Sequence, residues 1–126
     1  MLKDAPVVPY IPASDIARAR AFYERKVGLV AKQAIAGGVV YECAAGSWIF
    51  LYQSSGAGTS QASQAFWQVK DVEAEVAALR ARGVVFEDYD MPGFKTVNGI
   101  FTGGGSKAAW FKDSEGNIMA LIETMT

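Results

Sequence analysis

The chain repeats itself. Ile11-Pro12-Ala13-Ser14-Asp15-Ile16-Ala17 and Trp67-Gln68-Val69-Lys70-Asp71-Val72-Glu73 share one pattern: an extended segment ends at an aspartate and a helical pattern follows. After Asp15, apolar residues fall at Ile16, Ala19, Tyr23 and Val27; after Asp71 they fall at Val72, Val76 and Leu79. That spacing predicts two amphipathic helices. Asp15 (or Ser14) and Asp71 are the expected N-caps, because a short side-chain oxygen accepts an orphan backbone N–H. Gly28 and Gly83 stand where a left-handed residue ends a helix.

β-type sequence follows each helix. Residues 29–36 and 39–45 read as strands around Gly37-Gly38, a hairpin signal. In 47–53, Trp48, Phe50 and Tyr52 alternate with Ile49 and Leu51, so both faces of that strand are apolar. In the second half, 84–87, 107–112 and 117–123 read as strands, with a turn at Asp113-Ser114-Glu115-Gly116-Asn117. Between them, 88–106 is Gly-rich, contains Met91-Pro92-Gly93-Phe94, and is expected to be a long loop. The order is thus strand, helix, three strands, twice. The expected fold class is α+β, one domain over 1–126. Module 1 covers about 1–55, a Ser/Gly/Gln-rich linker about 54–63, and module 2 about 62–126.

At 126 residues, roughly two thirds of the extended surface can be buried, so a core needs no covalent staples. The chain is 51% apolar and 20% charged, which excludes a disordered tail. Twelve basic residues face thirteen acidic ones, and no basic stretch tracks phosphates, so nucleic-acid binding is not expected. No apolar run reaches the ~18–20 residues of a membrane helix. Met1-Leu2-Lys3-Asp4 has no apolar signal-peptide core, and the single Cys43 forms no internal disulfide, so a cytoplasmic location is expected. There is no histidine. That removes Ser-His-Asp and Cys-His catalysis and every His-ligated metal site.

Asp15 to Gly28 (Asp-x-x-x-x-x-x-Phe-Tyr-x-x-x-x-Gly), the Asp71 helix ending Arg80-Ala81-Arg82-Gly83, and Ala109 to Asn117 resemble the vicinal oxygen chelate superfamily. That superfamily includes glyoxalase I, bleomycin-resistance proteins, fosfomycin-resistance enzymes and extradiol dioxygenases. The resemblance covers nearly the whole chain, and its motifs are structural. It implies two βαβββ modules forming a curved mixed sheet around a cleft, completed in a homodimer. It also implies a divalent metal held on the cleft side. Carried over position by position, the ligand sites fall at Val8, Phe50, Gln64 and Ala120. Only Gln64 offers a donor, a neutral amide, so no metal and no cofactor are expected.

If those positions face the cleft, strand alternation extends its lining to Tyr10, Trp48, Tyr52, Phe66, Gln68, Ile118 and Ile122. With Phe50, Gln64 and Ala120 this describes a pocket for a flat or greasy ligand, ringed by aromatics and oriented by amides. The same residues also suit a filled core or a dimer contact. Glu42 and Glu123 read as solvated strand-end acids, Cys43 as a small apolar strand residue, and no acid/base pair is identifiable, so no catalytic residue is assigned. The glycines before Ser106-Lys107 lack the residue order and the following helix of a phosphate loop.

The reading is metal-independent binding or sequestration of a small hydrophobic or aromatic molecule, as bleomycin-resistance-type proteins do, by a homodimer without nucleic-acid or membrane partners. One alternative is a glyoxalase-like lyase or isomerase with a non-standard metal site or tyrosine chemistry. A second is a non-catalytic dimerisation module.

Overall fold

A computed structural model describes residues 1–124. The first module runs β1 (Tyr10–Ala13), α1 (Ile16–Ala21), β2 (Ala31–Ile35), β3 (Gly38–Glu42) and β4 (Trp48–Gln53). Its sheet has the order β1-β4-β3-β2, with β1 parallel to β4 and the other pairs antiparallel. The second module runs β5 (Ser63–Gln68), α2 (Val72–Ala81), the two-residue strands β6 (Asp90–Met91) and β7 (Phe94–Lys95), β8 (Ile100–Gly103), β9 (Ser106–Lys112) and β10 (Ile118–Thr124). Its sheet repeats the arrangement as β5-β10-β9-β8, with β5 parallel to β10. The fold is α+β, built from two four-stranded mixed sheets and two helices.

The helix ends follow from the residues there. The Asp15 carboxylate accepts from the Arg18 N–H at 3.0 Å, and the Asp71 carboxylate accepts from the Ala74 N–H at 3.0 Å. Both are caps on orphan donors. α1 widens into a π-helical turn over Phe22–Val27 and stops at Gly28, whose φ of 87° is left-handed. That turn swings Phe22 toward the second module: its ring lies 6.1 Å from that of Phe111 on β9.

One core cluster joins the modules. Ile11, Ala13, Tyr41, Ile49 and Leu51 of the first sheet meet Phe111, Met119 and Leu121 of the second, with Tyr23, Val76 and Leu79 from the helical segments between. A polar latch crosses the same junction. The buried Glu115 carboxylate accepts from Arg18 Nε (2.8 Å), the Asp15 N–H (2.9 Å) and Ser14 Oγ (3.0 Å). Beside it, buried Asp113 accepts from the Tyr23 hydroxyl at 2.5 Å, and the Asn117 amide donates to the Pro12 carbonyl at 2.7 Å.

Three sequence expectations change. β3 ends at Glu42, so Cys43 lies outside the strand, before a short 3-10 helix over Ala44–Gly46. Residues 84–87 form no regular strand: Phe86 makes an isolated bridge to Phe111, and the Glu87 N–H donates to the Trp110 carbonyl at 2.8 Å. Their alternation is real, with Val84 and Phe86 buried and Val85 exposed, but the segment turns away after one bridge. The fourth strand of that sheet is β8 instead, inside 88–106. That segment also carries the β6–β7 hairpin, so it is a structured flap on the sheet and not an irregular loop.

Candidate ligand-binding faces

Each sheet spends one face on the shared core and turns the other outward. On the first sheet, the β1–β4 register pairs Tyr10 with Phe50 and Pro12 with Tyr52. Their rings gather: Tyr10 lies 4.5 Å from Tyr52 and 5.3 Å from Phe50, and Phe50 and Tyr52 are parallel at 6.5 Å. Gly38 makes room for this. A Cβ there would stand 2.5 Å from the Phe50 ring. Tyr10 is 61% exposed, large for an aromatic on a sheet face. Trp48 sits at the end of the same face. Its indole N–H donates to Glu42 at 2.9 Å, and Lys32 pairs with Glu42 at 2.8 Å and lies 4.8 Å over the Trp48 ring. A hollow of about 340 Å³ opens beside Trp48, walled by Val7, Val8 and Ser47.

On the second sheet the register sets Ala120 opposite both Phe66 and Trp110. Ala120 and Ile118 are buried and Phe66 is 57% exposed. Gln64 is half-buried and its amide nitrogen donates to the Ala62 carbonyl at 3.1 Å, while Gln68 is exposed and Ile122 half-buried. Sequence reasoning missed the aromatic wall over this sheet. The β6–β7 hairpin lays Tyr89 and Phe94 against Trp110, with ring separations of 5.8 and 5.3 Å, and Phe94 stacks on Phe101 at 4.7 Å. Gln61, Ser63, Met91 and Ile118 complete a hollow of about 400 Å³ under these rings.

The residues expected to form one cleft therefore lie on two sheets. Tyr10, Phe50 and Tyr52 touch one another, with Trp48 on the same strand; Gln64, Phe66, Gln68, Ile118 and Ala120 belong to the other module. Neither face fits a divalent cation. Val8, Phe50 and Ala120 bring no donor, and Gln64 offers one neutral amide oxygen, too few for a hard divalent ion. Among the described residues, no three His, Cys, Asp or Glu side chains converge.

Tyr23, Tyr41, Glu123 and Glu115 hold structure. Burial, and then Asp113, push the Tyr23 hydroxyl well above its usual range; burial and Glu24 do the same for Tyr41. Both donate to carboxylates, Tyr41 to Glu24 at 2.8 Å. Glu123 accepts from the Val72 N–H at 2.9 Å and so caps α2. Glu115 is held down to about 2, first by Arg18 and then by the Asp15 N–H and the hydroxyls of Ser114 and Ser14, against its own burial.

No family model matches the chain, and no curated protein matches it in sequence. Solved structures do match its fold. UcmS2 superposes with a TM-score of 0.72 at 16% identity, covering 93% of this chain and 97% of that one. TnmS3, an antibiotic-binding protein from a Streptomyces species, gives 0.63 at 23% identity over 96% and 98%. FosX, a fosfomycin-resistance protein from Listeria monocytogenes complexed with Mn(II) and sulfate, gives 0.69 at 13% identity over 96% and 90%. With its paired βαβββ modules, the chain has the fold of the vicinal oxygen chelate superfamily.

Proposed function

We propose that this protein binds and sequesters a small, flat, hydrophobic or aromatic molecule, without a metal and without chemical turnover. The observation that carries this reading is the pair of outward aromatic faces, Tyr10–Phe50–Tyr52 with Trp48 on one sheet and Tyr89–Phe94–Trp110 on the other. Rings of this kind stack on planar ligands, and Gln61 and Ser63 supply neutral hydrogen-bonding groups at the edge. The hollow beneath Trp110 has no charged lining residue, so it favours an uncharged ligand over a phosphonate or a carboxylate. Sequestration needs no acid, base or nucleophile. The antibiotic-binding description of TnmS3 supports a binding role on this fold.

The working unit of this proposal is a homodimer in the cytoplasm. In it the first face of one protomer meets the second face of its partner, so that Tyr10, Trp48, Phe50 and Tyr52 share a cleft with Gln64, Phe66, Gln68, Ile118 and Ala120. A thermal-shift screen against neutral polyaromatic antibiotics and metabolites tests the binding. A binder raises the melting temperature, because binding stabilises the folded state by RT ln(1 + [L]/Kd). Near-stoichiometric Mn, Zn, Ni or Fe in protein purified without chelator, lost on Gln64→Ala, would overturn the reading and favour a metal-dependent enzyme.

A further inference from the structure

A hollow of about 150 Å³ lies on the core side of the second sheet, apart from both outward faces. Leu79 from α2, Phe111 from β9 and Leu121 from β10 form its buried floor. Val27, at the end of the π-helical turn, Leu29 just beyond it and Trp67 from β5 form a half-buried rim. The Trp67 and Phe111 rings are near parallel, 17° apart with centroids separated by 6.3 Å, and give the hollow an aromatic wall. One charged group lines it: Glu75, one turn before Leu79 on α2. Glu75 is exposed and, among the described residues, forms no ion pair.

We infer that this hollow is a second binding site, for a small organic cation: a primary ammonium on a benzene-sized apolar body. The hollow opens to solvent on one side, and its volume of about 150 Å³ admits a benzene-sized body against the apolar floor. Apolar walls alone would take a neutral arene. The Glu75 carboxylate adds a counter-charge at the mouth, and the Trp67 face adds attraction for a cation. The same carboxylate repels an anion of equal size.

Benzylamine, toluene and benzoate are the probes, titrated into the full-length ¹⁵N-labelled protein. The readout is the indole N–H resonances of the three tryptophans, Trp48, Trp67 and Trp110. Benzylamine moves the Trp67 resonance and saturates at a concentration about two- to fivefold below toluene, the scale of one exposed charge pair. Benzoate leaves it in place. Glu75→Gln brings benzylamine to the toluene level, and Leu29→Phe, which fills the hollow, removes both. If Leu29→Phe does not fold, the lost preference in Glu75→Gln carries the test, since Glu75 is exposed. Shifts confined to Trp48 and Trp110 would place the ligands on the outward faces and overturn the inference, as would an unmoved Trp67 or a preference that survives Glu75→Gln. Because Trp67 reports this hollow and the other two tryptophans report the faces, failure here leaves the proposed sequestration standing, and the reverse.

Discussion

Three residues carry distinguishable roles. Phe111 is wholly buried between Phe22, Trp67 and Phe86, so Phe111→Ala is expected to cost about 3–5 kcal/mol, read as a fall in the urea midpoint. Trp48 is 39% exposed on an outward face. Trp48→Ala is expected to cost less stability than that, while weakening ligand binding by about 1–3 kcal/mol, the scale of one large buried side chain. If Trp48→Ala unfolds the chain, Trp48 is core and the face has been assigned to the wrong side of β4. Glu115 is the third. Its carboxyl sits at about 2 when folded, below its ordinary 4.5, so the unfolded chain takes up its proton first as pH falls. Its stabilising contribution is complete above about pH 5 and is lost as pH drops toward about 2. Glu115→Gln is therefore expected to be less stable than wild type at neutral pH, with the gap closing in acid. Parallel urea melts at several pH values measure it. A gap that is constant with pH would mean that packing, and not the charge paired with Arg18, is what Glu115 supplies.

At the scale of elements, the β6–β7 hairpin is where function and fold part company. Phe94 touches Tyr89, Phe101 and Trp110 but stays half-buried. Phe94→Ala is expected to weaken ligand binding by about 1–2 kcal/mol while moving the melting temperature little, because ring pairs at a partly wet site contribute modestly to folding. A melting-temperature drop on the scale of Phe111→Ala would make the hairpin a core element. This hairpin also marks where sequence stopped being legible. β4 was readable because six residues of alternation separate Ile49 and Leu51 from Trp48, Phe50 and Tyr52, and both helices were readable because Asp15, Asp71, Gly28 and Gly83 punctuate them. β6 and β7 are two residues each, too short to alternate, and only Pro92-Gly93 hints at their turn. Tyr89 and Phe94 reach Trp110 by tertiary placement, which periodicity does not encode. Trp110 itself was available: it alternates with the buried Phe111, and that signal alone would have put an aromatic on the outer face of β9.

At the scale of the whole molecule, each sheet turns an apolar face outward. Tyr10, Trp48, Phe66 and Met91 are between 39% and 61% exposed, and they cluster on the outer sides of sheets whose inner sides are already spent on one core. A monomer leaving that much apolar surface wet would be prone to association, and closed two-fold pairing is the commonest way to satisfy it. The same pairing would set the first face of one protomer against the second face of its partner, turning two shallow half-sites into one enclosed cleft. Light scattering is therefore expected to give about twice the 13.5 kDa chain mass at micromolar concentration. Phe66→Glu puts an unpaired charge into the proposed contact, where burial of a carboxylate without a partner is costly. It is expected to return the mass to that of one chain and to abolish ligand-induced stabilisation in the same experiment. If the variant dissociates yet still binds ligand, each face works alone and the cleft lies within one protomer. If it remains dimeric, the two-fold contact lies elsewhere, and Tyr10 and Phe66 are left facing solvent for the ligand to cover.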